Sequence, residues 1–130
     1  MALDSKVVSD WIALQHLGHS HEKADALWYA WEAVYQATTN DPDSLWTFIL
    51  DALKADSSGH LMSNLAAGPL EDLLSAHGPA YIERVEAEAR SNPLFASLLG
   101  GVWQSDMRDE VWARVQAVWD RRGWDGLPAT

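Results

Sequence analysis

Cysteine is absent from this 130-residue chain, which excludes disulfides, thiol catalysis, cysteine zinc sites and iron–sulfur clusters. Basic side chains are scarce: 9 Lys and Arg face 19 Asp and Glu, and the net charge is -10. Binding to nucleic acid or to an anionic membrane needs clustered cations, which this composition does not provide. We therefore expect no direct contact with nucleic acid or with a membrane.

Long hydrophobic runs are also missing. No apolar stretch approaches the roughly 20 residues that a membrane-spanning helix needs. The first residues include Asp4 and Asp10, whereas a signal peptide has a basic start and an unbroken apolar run. These features predict a cytoplasmic protein. The sequence also lacks a phosphate-binding glycine loop and a Gly-x-Ser-x-Gly nucleophile elbow.

The residues that are present indicate a folded helical domain. Hydrophobic residues make up 48% of the chain, and eight residues are tryptophan, which excludes a wholly disordered chain. Apolar residues recur at helical spacing, with no convincing two-residue alternation. We predict an all-α fold of about seven to eight helices, stacked as antiparallel hairpins in a HEAT-like array or an irregular bundle. Residues 1–124 are expected to form one domain and 125–130 a frayed tail.

Joints that contain proline set the expected helix boundaries. An Asx residue before proline is a strong start signal, because its side chain caps the helix and proline fits the first position. A glycine before proline indicates one helix ending and another beginning. Ser20 is expected to cap the second helix. The predicted joints are Asp41-Pro42, Gly68-Pro69, Gly78-Pro79 and Asn92-Pro93.

The tryptophans fall mainly on apolar helix stripes. The last helix is predicted over about 108–122, with Gly123 in the left-handed position after it and Trp124 over Trp119. Eight large rings are hard to bury completely in a small domain, and exposed ones would mark a binding surface. The rings expected in the core are Trp28, Trp31, Trp46, Trp112 and Trp119.

Residues 65–103 read LAAGPLEDLLSAHGPAYIERVEAEARSNPLFASLLGGVW. This stretch resembles a bacterial family of unknown function that is marked by a Gly-Pro-Leu-Glu-Asp-Leu-Leu run, then His-Gly, an acidic helix and Gly-Val-Trp. The resemblance implies a small helical protein and carries no assigned activity or catalytic residue. Most of the matching positions are capping or packing residues, whereas Glu71, Asp72 and His77 have ionisable side chains that could serve a functional site.

Those three residues are a candidate polar site. His77 follows Glu71 by six residues and Asp72 by five, so they are not neighbours across one helical turn. They form either a polar site or only helix-end contacts, with the acids capping the helix and the imidazole on its last carbonyls. We assign no catalytic residue.

Histidines cluster at the joint between the first two helices. His16, His19 and His21 precede Glu22, and imidazole is a ligand for zinc, nickel and copper. Their spacing is not that of a recognised metal motif. We interpret them as polar turn residues and expect no metal and no cofactor.

The negative charge is concentrated in the first two-thirds of the chain. Residues 1–88 contain 14 acidic and 4 basic side chains, whereas residues 89–130 contain 5 of each. A hairpin of the second and third helices would bring acidic side chains together as a surface for a basic protein. The predicted partner-binding residues are Glu22, Asp25, Glu32, Asp41 and Asp43.

Three functional hypotheses follow from these observations. The first is a non-enzymatic binding module, such as an inhibitor or immunity-type protein that covers the nucleic-acid-binding surface of a basic partner. The second is a metal-assisted enzyme that uses histidine and carboxylate side chains. The third is a structural subunit of a homo-oligomer. The pattern favours the first and names neither the partner nor the oligomeric state.

Overall fold

The structure is a computed structural model that describes residues 3–18 and 21–124, and within these ranges every regular element is helical. The all-α prediction is confirmed. A π-helical turn, Ala66–Leu70, joins α4 directly to α5, so the described chain has six separate helical segments, slightly fewer than predicted. The helices are α1 (Ser5–Leu17), α2 (Ala24–Asn40), α3 (Pro42–Ala55), α4 (Gly59–Leu65), α5 (Glu71–Ser91), α6 (Pro93–Leu99) and α7 (Asp109–Val118).

The Asx-proline joints start helices as predicted. Asp41 caps α3 by accepting the backbone N–H of Ser44 at 3.3 Å, with Pro42 in the first turn. Asn92 caps α6 by accepting the backbone N–H of Leu94 at 3.2 Å. Each cap satisfies a donor that the first helical turn cannot pair internally.

The two Gly-Pro joints differ from each other. The helix does not break at Gly68-Pro69 but widens into the π-helical turn, which accommodates a residue that has no backbone N–H. At Gly78-Pro79 two helical stretches of α5 meet at a kink, where the backbone of His77 is not helical (φ -135°, ψ 24°). The predicted boundary is therefore present at Gly78-Pro79 and absent at Gly68-Pro69.

The second helix also begins later than predicted. α2 starts at Ala24 with Lys23 at its N-cap position, so Glu22 lies before the helix and not in its first turn. The predicted cap, Ser20, lies outside the described residues, as do residues 125–130, for which we predict a frayed tail. No helix among the described residues is both long and apolar enough to cross a membrane.

The helices pack as an irregular bundle around one cluster of buried side chains that extends from Leu3 to Val115. α1 packs on α2, α3 and α4, whereas α5 packs on α6 and α7. Phe48 and Phe95 are the largest fully buried side chains. Of the tryptophans, Trp11 is buried and meets Phe48 edge to face, with ring centroids 5.4 Å apart.

The C-terminal segment, residues 119–124, corrects the prediction for the last helix. α7 ends at Val118, and Trp119 is extended (ψ 155°). The segment folds back on α6: the backbone N–H of Asp120 donates to Ala96 O at 2.9 Å, and the indole of Trp124 donates to Ser97 O at 2.8 Å. Trp124 therefore packs on α6. Gly123 has the positive φ that was predicted (91°).

Candidate binding groove beside an aromatic row

Three aromatic rings form a row along the outer side of α2. Trp28 stacks on Trp31 with centroids 4.8 Å apart, and Trp31 stacks on Tyr35 at 5.1 Å with planes 7° apart. We call Trp28, Trp31 and Tyr35 the aromatic row. Both tryptophans are half-buried and lie outside the core cluster, and Tyr35 is 60% exposed. The prediction that these tryptophans belong to the core is therefore wrong.

The side of α2 that faces the core carries small side chains, and the predicted tryptophans lie on another side. The buried residues include Ala30, Val34 and Ala37. Small residues let neighbouring helices approach closely, and that approach leaves no room for indole rings. Because the aromatic positions also recur at helical spacing, periodicity alone does not distinguish the two sides of α2.

Two carboxylates lie next to the row. Asp25 precedes Trp28 by three residues, and Glu32 follows Trp28 by four and precedes Tyr35 by three, so they are neighbours on the helix surface. Asp25, Glu32 and the preceding Glu22 are exposed, and no described side chain pairs with them. Three of the five acids that were predicted to bind a partner are thus available at this surface.

The other two predicted acids make contacts within the fold. The carboxylate of Asp41 caps α3 and also accepts the Ser44 hydroxyl at 2.7 Å. Asp43 accepts hydrogen bonds from the Tyr81 hydroxyl and from the Arg84 guanidinium, the latter at 3.0 Å. Asp41 and Asp43 therefore have structural contacts that the other three acids lack, although the Asp43 side chain remains 75% exposed.

A groove runs beside the row, between α2 and the chain that passes through the π-helical turn into α5. It consists of two cavities of about 300 Å³ and 450 Å³ that share Tyr35, Thr38 and Asp72. The remaining lining residues of the first cavity are Trp11, Gln15, Trp31, Val34, Asn64, Ala67, Gly68 and Pro69. Those of the second are Gln36, Thr39, Asn40, Ser75, Ala76 and Asp106.

Each cavity contains a buried polar atom that lacks a partner. Gln15 is 8% exposed, and its Nε2 has no acceptor among the described residues. Ser75 Oγ in the second cavity is likewise buried and unpaired among those residues. An unsatisfied buried polar group costs about 1–3 kcal/mol.

Asp72, in the shared wall, is the electrostatically unusual acid of this groove. Burial raises the pKa of its carboxyl, and the neighbouring charge of Glu71 raises that pKa further. No described residue donates a hydrogen bond to Asp72. The carboxylate is therefore held in a half-buried position without the cation or donors that would normally accompany it.

Glu71 and His77 have structural contacts instead. Glu71 accepts the backbone N–H of Trp103 at 2.8 Å. The imidazole of His77 donates from Nε2 to the carbonyl of Thr38 at 2.6 Å, which ties the kink in α5 to α2. The three residues of the candidate polar site therefore have different roles. Glu71 and His77 connect neighbouring segments through hydrogen bonds, and of the three only Asp72 lines the groove. Neither Glu71 nor Asp72 caps a helix, because the chain is already helical before these residues.

The histidine joint contains pairwise contacts. His16 Nε2 lies 2.7 Å from Asp56 Oδ2, an interaction that lowers the pKa of Asp56 to about 2. His60 donates from Nε2 to the carbonyl of Gln15 at 2.8 Å, and His21 Nδ1 accepts the backbone N–H of Lys23. No three metal-binding side chains meet within the described residues. The third predicted histidine, His19, lies outside those residues.

Most of the groove could not be predicted from the sequence. Gln15, Thr38 and Ser75 are isolated polar residues in amphipathic helices and give no pattern. The Gly68-Pro69 pair predicted a helix boundary and not the π-helical turn that forms part of the groove wall.

The comparisons with known proteins identify a family of unknown function. The family described as "Family of unknown function (DUF6869)" matches the chain over residues 17–123. The expected likeness to an uncharacterised family is confirmed. No curated protein and no solved structure matches the chain.

Proposed function

The chain belongs to the DUF6869 family, whose function is unknown, and on that premise we propose that it is a non-enzymatic module that binds a basic protein. The observation that carries this proposal is the aromatic row on α2, with two half-buried tryptophans and the exposed Tyr35, beside the exposed carboxylates of Asp25 and Glu32. Aromatic clusters that remain partly exposed at a surface are characteristic of interfaces.

The chemistry of the row favours cationic side chains. Lysine and arginine are attracted to the face of an aromatic ring, and such a contact stabilises a complex by about 0.5–2 kcal/mol. Tyr35 offers this contact, because only one face of its ring stacks on Trp31. Nearby carboxylates add ion pairing to the same cations. A partner that presents lysine or arginine residues along its surface would meet rings and carboxylates together.

Long-range charge supports the same proposal. All of the net charge of -10 lies within residues 1–88, the part of the chain that contains the aromatic row. Like charges repel one another and lower stability, so folding alone gives no reason to concentrate them. Attraction to a basic partner gives one, because it speeds association. We place the module in the cytoplasm, as an inhibitor or immunity-type protein that covers a nucleic-acid-binding surface.

The test is a double charge reversal at the row. The immobilised protein is used to capture partners from its host lysate at low salt, and the association rate of each captured protein is then measured at increasing salt. We expect a basic protein whose association slows as the Debye length falls to about 8 Å near physiological salt. The D25K/E32K variant should slow association further while it keeps its helix, because lysine is a good helix former.

The matched control is D51K/E83K, which changes the net charge equally at two exposed acids away from the row. Association that slows equally in both variants would show a general charge effect and no localised interface. If the association rate changes neither with salt nor in either double variant, the acidic surface is not the interface. If instead the purified chain dimerises as its concentration is raised, the homo-oligomer hypothesis is favoured.

A further inference from the structure

We propose that the junction of the two cavities, at Tyr35, Thr38 and Asp72, binds an arginine side chain within a peptide segment of the partner. This inference rests on the proposed function and adds a specific pocket to it. The first cavity, of about 300 Å³, has the size of a small ligand pocket.

The charge of the occupant follows from Asp72. This carboxylate is half-buried next to Glu71, and no described side chain or backbone N–H pairs with it. A second anion in this position would be repelled, and a neutral group would leave the charge uncompensated. A cation removes the penalty, because it supplies both the opposite charge and hydrogen-bond donors.

The shape of the cation follows from Tyr35. One face of its ring stacks on Trp31, and the ring ends the row with no other ring or cation against it among the described residues. A guanidinium is planar, stacks on such a face and offers five N–H donors in a fork that matches a carboxylate. An ammonium is compact and strongly hydrated, so it benefits less from the flat face.

Gln15 Nε2 and Ser75 Oγ are also unpaired among the described residues, but both atoms are fully buried, so the pocket does not depend on them. The peptide context of the arginine follows from the proposed function, in which the partner is a protein. A guanidinium at the junction would pair with Asp72 and lie against Tyr35.

The probes for this pocket are acetyl-Gly-Arg-Gly-amide and its lysine counterpart, titrated into the full chain labelled with ¹⁵N. We expect the arginine peptide to shift backbone signals of Tyr35, Thr38 and Asp72, and to bind several-fold more tightly than the lysine peptide. Affinity should fall as the pH is lowered through the raised pKa of Asp72, because the protonated carboxyl no longer attracts a cation.

Three variants identify the groups that bind the peptide. D72N should weaken the arginine peptide by about tenfold, because a charge-assisted hydrogen bond is lost. Y35A should weaken it by about threefold. D51N is the matched control, since it removes one exposed carboxylate on α3 and should leave binding unchanged.

The outcomes distinguish this pocket from the proposed function. Equal binding of the two peptides, no binding of either, or binding that D72N and D51N affect alike would overturn the arginine pocket. The charge reversal at Asp25 and Glu32 is measured on the partner and does not depend on the pocket. If D25K/E32K weakens binding of a basic partner and D72N does not, the proposed function is supported and the arginine pocket is contradicted.

Discussion

The two groups of aromatic side chains in this protein, the aromatic row on α2 and the tryptophans near the C-terminus, were expected to be alike and are packed in opposite ways. In the row, the rings stack face to face along one helix, outside the core cluster, and Tyr35 is mostly exposed. At the other end, Trp112 meets Trp119 edge to face at 5.3 Å, and both pack against the core with Trp124.

Polar contacts mark the same difference. Trp124 donates its indole N–H to Ser97 O, and the guanidinium of Arg121 lies 5.1 Å from the Trp119 ring centre while donating to Gly100 O. These interactions fix the C-terminal rings in one place. Trp119 and Trp124, which contact other elements, therefore serve stability, whereas Tyr35 is mostly exposed at the end of its row.

The largest expected effect comes from a substitution under the C-terminal segment. Gly100→Ala would place a Cβ against the backbone carbonyl of Asp120, and backbone cannot move aside as a flexible side chain can. We expect a loss of about 3 kcal/mol in the free energy of unfolding, measured by urea denaturation. Gly59→Ala is the control, because a Cβ there meets nothing within 4 Å, and its stability should not fall.

Ring deletions compare the two groups directly. Trp124→Ala removes a ring that contacts Gly101 and the core, and should cost about 2 kcal/mol. Tyr35→Ala removes a ring that is mostly exposed, and should cost less than about 0.5 kcal/mol. Thermal and urea unfolding of both variants measures the difference. Equal losses would mean that the row is part of the stabilising core after all.

Asp72→Asn tests whether the half-buried carboxylate of Asp72 lowers the free energy of unfolding. The pKa of Asp72 is raised in the folded state, so its charged form is disfavoured by folding, and neutral asparagine should stabilise the protein near pH 7 by less than about 1 kcal/mol. The gain should disappear as the pH falls below the ordinary carboxyl value of 3.8, where both side chains are uncharged. Unfolding measured from pH 3 to pH 8 checks this, and a destabilised variant would contradict it.

Asp120→Asn gives the smallest effect and the opposite sign. The Arg122 side chain and its backbone N–H hold the pKa of Asp120 at about 2, so the native carboxylate contributes stability above its ordinary value of 3.8. That contribution is lost as the pH falls through about 2. The variant should be slightly less stable than the parent at neutral pH and equal to it at the acid limit. An unchanged difference at all pH values would contradict the assignment.

Local patterns predicted the parts of the fold that local physics controls. Helical periodicity identified the all-helical class, and the caps at Asp41 and Asn92 followed from side-chain chemistry within four residues. The contacts of Glu71 with Trp103 and of His77 with Thr38 were outside the reach of such patterns, since they join residues more than 30 positions apart.

The helical class, the Asx-capped joints and the acidity of residues 1–88 follow from the sequence alone. Tertiary packing sets which side of α2 is buried, that Gly68-Pro69 continues a helix and that Asp72 lines a groove. The spacing of apolar residues along α2 is compatible with two buried sides and favours neither of them. The neighbouring helices choose between those sides, and here close packing favoured alanine and valine and left the aromatic rings outside.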